Sequence, residues 1–219
     1  MGFGRKKAKH PRRKRIGGEA RRALIVKAAA QLFAERGFSG STREIAARLG
    51  VTQALLYRYF SSKDKLVAAV FESFRDRWDA DRAAVLTART RPLTDRLCEF
   101  YFAYVSRNAD FSGGRLLMRA ALDGIDLPLR YRPDLDARVL MPVVNALRAE
   151  AGLPAVKLPL RRTERELAMG LHGAIIFIGI RRHIYRVTMS DAQQRALIRG
   201  IIRAYLPGAL DRFKLSCDN

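Results

Sequence analysis

Carboxylates are scarce in this chain of 219 residues: 21 Asp and Glu stand against 42 Lys and Arg, a formal net charge of +21. A surface so short of acid suits a polyanionic partner and disfavours a basic one. Cysteine is nearly missing. Cys98 and Cys217 have no C-x-x-C spacing, which excludes a disulfide framework and a zinc cluster and fits a reducing, cytoplasmic setting. Long apolar runs are missing too. The longest, "GAIIFIGI" at 173–180, falls well short of the ~18 residues a membrane span needs, and the N-terminus is charged where a signal peptide is apolar. The expectation is a soluble protein with no membrane partner. Period-two alternation is absent, so no strand is expected. So are H-E-x-x-H, G-x-S-x-G, the P-loop and the Rossmann fingerprint. His172 and His183 share a helical stretch, but at ~1.5 Å per residue they stand about 16 Å apart, too far to share a metal. Asp123 and Asp126 have no histidine near them in sequence. Neither enzyme chemistry, nor a cofactor, nor a metal site is expected.

What is present is helix and positive charge. The composition is 48% hydrophobic, enough to bury a core. Residues 1–18 carry eight Lys and Arg and no acid, whereas residues 19–75 carry ten against five. Such a basic arm, "RKKAKHPRRKR", is expected to track a nucleic-acid backbone and steepen the salt dependence of binding. Apolar pairs at Leu24/Ile25, Ala28/Ala29 and Leu32/Phe33 draw one helical stripe from 19 to 36, closed by Gly37. Further helices are expected over about 42–49, 53–60, 62–87, 93–109, 113–123, 134–151, 163–186 and 190–206. The breaks fall where Gly, Pro and N-cap residues cluster. The domains are then a basic arm at 1–18, a small helical head at 19–75 and a larger helical domain at 76–219.

The most patterned stretch is "STREIAARLGVTQALLYRYFSSKDKL", residues 41–66. Ser41 and Glu44 form an S-x-x-E capping box, Gly50 can take the left-handed conformation of a sharp turn, and Thr52 can cap the next helix. Ala46 is small enough for two helices to cross, and Leu56 and Phe60 supply the inward face of the second. This is a helix-turn-helix arrangement. The helical wheel sends Ala54, Leu55, Tyr57 and Arg58 outward, with Thr52 and Gln53 at the end that meets base edges.

From about Ala20 to Phe74, with "GVT…LYRYF" followed by "SKDKL", the sequence resembles the tetracycline-repressor (TetR) family of bacterial transcription regulators. Downstream of about residue 90 the resemblance rests on length and helix order. It implies an all-α fold, an N-terminal three-helix DNA-binding domain and a larger C-terminal domain for ligand binding and dimerisation. Combined with side-chain chemistry, it implies that Arg43 pairs with guanine O6 and N7 and that Gln53 pairs with adenine. Thr42, Tyr57 and Tyr59 become phosphate donors, and Lys63 holds a phosphate at the start of the fourth helix. Arg58 suits either task. Ala54 departs from the Gly or Pro of many members and offers a methyl to thymine.

In that family the last two long helices of each subunit meet a two-fold mate. This implies a homodimer through Gly170, Leu171, Ala174, Ile175, Ile178, Ile201 and Tyr205, matched to a palindromic double-stranded operator. Members also take a small effector among the middle helices, for which Phe100, Tyr104, Phe111, Met118, Met141 and Phe177 are the candidates. The expected protein is a regulator, most often a repressor, released from DNA by that effector through a shift of the fourth helix. The alternative is a ligand-independent DNA-binding protein, constitutive or architectural.

Overall fold

The computed structural model describes residues 17–75, 81–106 and 112–215, and every regular element among them is helical. The head comprises α1 (Gly18–Arg36), α2 (Thr42–Leu49), α3 (Gln53–Tyr59) and α4 (Lys63–Arg75). There follow α5 (Asp81–Thr87), α6 (Leu93–Ser106), α7 (Ser112–Leu122), α8 (Leu127–Leu135), a π-helical turn (Asp136–Leu140), α9 (Met141–Glu150), α10 (Arg162–His183) and α11 (Asp191–Leu215). Most of the basic arm lies outside the described residues, as do 76–80, where a single fourth helix to Thr87 was expected.

Local chemistry accounts for the head's boundaries. The Ser41 hydroxyl accepts from Glu44 N at 3.2 Å while Ser41 N donates to Glu44 Oε2 at 3.1 Å, the reciprocal box that starts α2. Gly50 ends it at φ 61°, ψ 37°, where a Cβ would cost energy. Thr52 Oγ1 accepts from Leu55 N and Ser62 Oγ from Lys65 N, each at 3.2 Å, which starts α3 and α4.

Proline moved three expected boundaries. Pro128 lies in the first turn of α8, where its missing N–H costs nothing, so "DLPLRYRP" opens a helix instead of breaking one. Pro133 is inside α8, and the π-helical turn follows directly, leading into α9. At Pro207 helix α11 was expected to stop, yet it runs on to Leu215. Ala209 and Phe213, both buried beyond the proline, give the continuation something to cover.

Among the described residues two buried clusters form. The head's cluster centres on Ile25, Leu32, Phe33, Ile45, Leu56 and Leu66. The larger one joins α6, α9, α10 and α11 around Leu97, Tyr101, Leu147, Leu171, Ile175 and Ile202. Helix α7 crosses the expected division: Leu116 and Ala120 bury into the head's cluster, and α1 packs on both α4 and α7.

Candidate nucleic-acid interface

Helices α2 and α3 are held at a fixed angle by a polar link as well as by their apolar contact. Gln53 Nε2 donates to Thr42 Oγ1 at 2.8 Å, and Thr42 Oγ1 lies 3.3 Å from the Tyr57 hydroxyl. Thr42 is only 6% exposed. This changes the part sequence gave it: a hydroxyl enclosed between two side chains is a brace, not a phosphate donor. The brace has a useful polarity. With Gln53 donating to Thr42, the threonine proton can go to the tyrosine oxygen, which leaves the phenolic proton free to point outward. Gln53, half-buried, enters any base contact with part of its amide already engaged.

The remaining expected residues divide by exposure. Arg43, Thr52, Ala54, Tyr57 and Arg58 are exposed, Tyr57 at 44%, and Leu55 is half-buried beside them. Leu56 and Phe60 turn inward as the wheel requires. Tyr59 is half-buried and packs against the head's cluster, so its ring is partly structural. Lys63 stands in the first turn of α4.

Sequence reasoning missed Arg22 as a neighbour of this surface. Arg22 on α1 lies over the Phe60 ring at 4.9 Å, and an open groove of about 420 Å³ is lined by Arg22, Tyr57, Arg58, Ser61 and Lys65 among others. Three cations beside the tyrosine face extend the positive surface along one flank of α3. Residues 22 and 58 are too far apart in the chain for spacing to have linked them.

The head's outer edge is set by two exposed ion pairs, Arg36 with Glu44 and Arg48 with Glu35. The Arg48 hydrogen bond holds the Glu35 carboxyl below its ordinary range. At this degree of exposure such pairs align α1 with α2 more than they stabilise the fold.

A second connection reaches the head from α7. Phe38 N donates to Asp123 Oδ2 at 2.8 Å, across the turn between α1 and α2. Gly37 has φ +76°, and a Cβ there would come within 2.9 Å of the same carboxylate oxygen. At the other end of α7, the Arg115 guanidinium donates to the His183 carbonyl at the close of α10. One helix thereby touches both the end of α10 and the turn that leads into α2.

The expected effector residues do not converge as a set. Phe100 is buried and meets Tyr101 edge-on at 5.1 Å, and Tyr104 lies 5.2 Å from the His172 ring. Met141 is half-buried at the start of α9. Met118 and Phe177 are exposed, at 39% and 48%, and Phe111 lies outside the described residues. Of the expected dimer residues, Gly170 and Ala174 are exposed and Ile201 and Tyr205 half-buried. Leu171, Ile175 and Ile178 are instead enclosed in the protomer's own core, because α10 turns that face toward α6 and α9. Among the described residues no helix is long and apolar enough to cross a membrane, and no group of His, Cys, Asp and Glu could hold a metal.

A capped helix-turn-helix head carried on a larger helical body defines the class. Residues 25–70 match the family described as bacterial regulatory proteins, tetR family. An HTH-type transcriptional repressor of Mycobacterium tuberculosis is 38% identical over 109 residues, 49% of this chain and 50% of that protein. The repressor KstR2 of the same organism is 33% identical over 92 residues, 41% of this chain and 46% of its own length. The chain thus spans about half the length of the curated relatives it matches. In fold it is similar to a TetR-like transcriptional regulator from Rhodococcus sp. RHA1, with TM-score 0.66 and 19% identity over 89% of this chain and all of that one. A tetR-family transcriptional regulator from Streptomyces coelicolor gives TM-score 0.60 and 18% identity over 90% of each chain. Residues 25–70 thus carry the tetR-family regulatory domain, and the fold of the whole chain is similar to that of solved TetR-like regulators.

Proposed function

We propose that this protein is a sequence-specific DNA-binding transcription regulator. In this reading it acts as a homodimer that represses from a palindromic operator and is released when a small molecule occupies the C-terminal domain. The observation that carries it is the braced α2–α3 pair, which holds Arg43, Ala54, Tyr57 and Arg58 exposed while Leu56 and Phe60 anchor the helix behind them. A non-specific binder needs only cations on that face. Here a methyl, a phenol and two guanidinium groups are presented together, a mixture suited to reading base edges.

The dimer reading rests on the outward face of the last two helices. Gly170, Gly173 and Ala174 on α10 and Gly200 and Gly208 on α11 are exposed, and a Cβ at any of these four glycines would meet nothing within the protomer. Their smallness therefore serves an external surface, one a second copy of the same helices can approach closely. Phe177, expected among the effector contacts, belongs with this face. For release, α7 supports the reading: a shift that begins near the end of α10 reaches the head through Arg115, Leu116, Ala120 and Asp123, in addition to the expected route through α4.

Selection of bound sequences from a random DNA pool at near-physiological salt tests the proposal. A palindromic motif is expected, and Arg43→Ala should weaken binding to that motif far more than to random duplex. Enrichment of duplex in general would replace the regulator with an architectural protein.

A further inference from the structure

The core of the C-terminal domain contains polar groups that a purely structural core would avoid. Tyr101 is 0% exposed and its hydroxyl has no hydrogen-bond partner. His172 is 7% exposed and its Nδ1 is likewise unpartnered, as is the buried hydroxyl of Tyr205. These three belong to one nest. The Tyr101 and His172 rings lie 6.1 Å apart, Tyr104 meets His172 edge-on, Tyr104 and Tyr131 share a hydrogen bond, and Tyr205 is near enough to act on the Tyr101 phenol. An unmade hydrogen bond in such a place is destabilising, and buried polar groups are paired in about nine cases of ten. Three orphans in one cluster therefore point to a partner from outside the chain.

The nest also specifies the charge of that partner. Burial lowers the His172 pKa to about 4, so the imidazole is neutral near pH 7, and it raises the phenols, Tyr104 and Tyr205 each to about 12. The charged groups acting on it, Asp134 and Arg138, lie at the Tyr131 end and pair with each other at 3.6 Å. A charged guest would thus lose its hydration without gaining a counter-ion. Tyr104 and Tyr131 are only half-buried by surface, though their phenols are strongly desolvated. The five side chains come together from α6, α8, α10 and α11.

We propose that Tyr101, Tyr104, Tyr131, His172 and Tyr205 form the receptor for a small uncharged molecule bearing both a hydrogen-bond donor and an acceptor, such as an amide or a hydroxylated carbonyl compound. This rests on the reading that the C-terminal domain takes an effector, and it names the effector's chemical class.

The first arm of the test is the thermal stability of the full chain without ligand. Tyr101→Phe removes an unsatisfied hydroxyl, so the melting temperature should rise, by about 2–4 °C for a chain of this size, and Tyr205→Phe should act in the same direction. The second arm is saturation-transfer NMR with four fragments of similar shape: benzamide, benzoate, benzamidinium and toluene. Transfer should be strongest to benzamide and be lost in Tyr101→Phe. The proposal requires both results. A lowered melting temperature in the two variants would mean that bound water already satisfies the hydroxyls. Strongest transfer to toluene would make the nest an apolar site, strongest transfer to either ion would give the guest a charge, and no transfer to any fragment would remove the receptor. Neither arm uses DNA. Failure to enrich an operator would end the regulator reading and leave the receptor standing, whereas failure here would leave DNA recognition intact.

Discussion

Thr42 illustrates how one side chain can be assigned to the right region and the wrong task. Its position at the start of α2 suggested a phosphate contact, but its hydroxyl is enclosed between Gln53 and Tyr57. Thr42→Val keeps the shape and removes both bonds. It should cost about 1 kcal/mol of stability in a denaturant titration and weaken operator binding roughly tenfold, since Gln53 and Tyr57 lose their orientation. Binding to random duplex should change little. His172 gives a prediction in pH. Its pKa in the folded protein is about 4 against an ordinary 6.5, so below 6.5 the unfolded chain takes up a proton that the folded chain refuses. Its contribution is complete above pH 6.5 and is lost progressively as pH falls toward 4, amounting to on the order of 3 kcal/mol. Denaturant midpoints at pH 7 and pH 4.5 should differ less in His172→Gln than in the parent chain.

At the scale of elements, α7 is the piece whose role depends on contact and not on its own pattern. Its periodicity predicts an amphipathic helix, and it is one, but nothing in "SGGRLLMRAAL" says that Leu116 and Ala120 complete the core of the head. The Asp123 carboxylate that accepts from Phe38 N acts across 85 residues of sequence. Asp123→Ala should leave that amide without its partner, speed its hydrogen exchange and that of the turn around residue 40, and cost about 1–3 kcal/mol. Asp123→Asn retains an acceptor oxygen and should restore most of the protection. Unchanged exchange in the alanine variant would show that the turn holds itself. The proline effects belong at this scale too: Pro128 opens a helix because a first turn needs no N–H from it, whereas Pro207 is carried inside one because Ala209 and Phe213 beyond it are buried.

For the whole molecule, the two faces of α10 provide the discriminating experiment. Ile175 is fully enclosed in the protomer and Phe177, two residues on, is exposed. Ile175→Asp should prevent folding, since an unpaired buried carboxylate costs more than about 4 kcal/mol. Phe177→Asp should give a soluble, helical protein that elutes as a monomer and loses operator affinity. Light scattering with circular dichroism checks both, and a dimeric Phe177→Asp protein would move the interface elsewhere.

The sequence by itself determined what is local. Capping boxes, the left-handed Gly50, the four-residue stripes and the inward Leu56 and Phe60 are specified by residues within a few positions of one another, so the head, its motif and the all-helical class were legible. The excess of Lys and Arg, a property of composition alone, carried the expectation of a polyanionic partner. The tertiary structure decided everything that depends on which helix lies beside which. It turned Leu171, Ile175 and Ile178 into core and Phe177 into surface, brought Arg22 to Phe60, joined Asp123 to the head and gathered four tyrosines and a histidine into one cluster. A helical period states that a residue has an inner and an outer side, but which side faces the protomer's core and which a partner is fixed only when the neighbouring helices are in place.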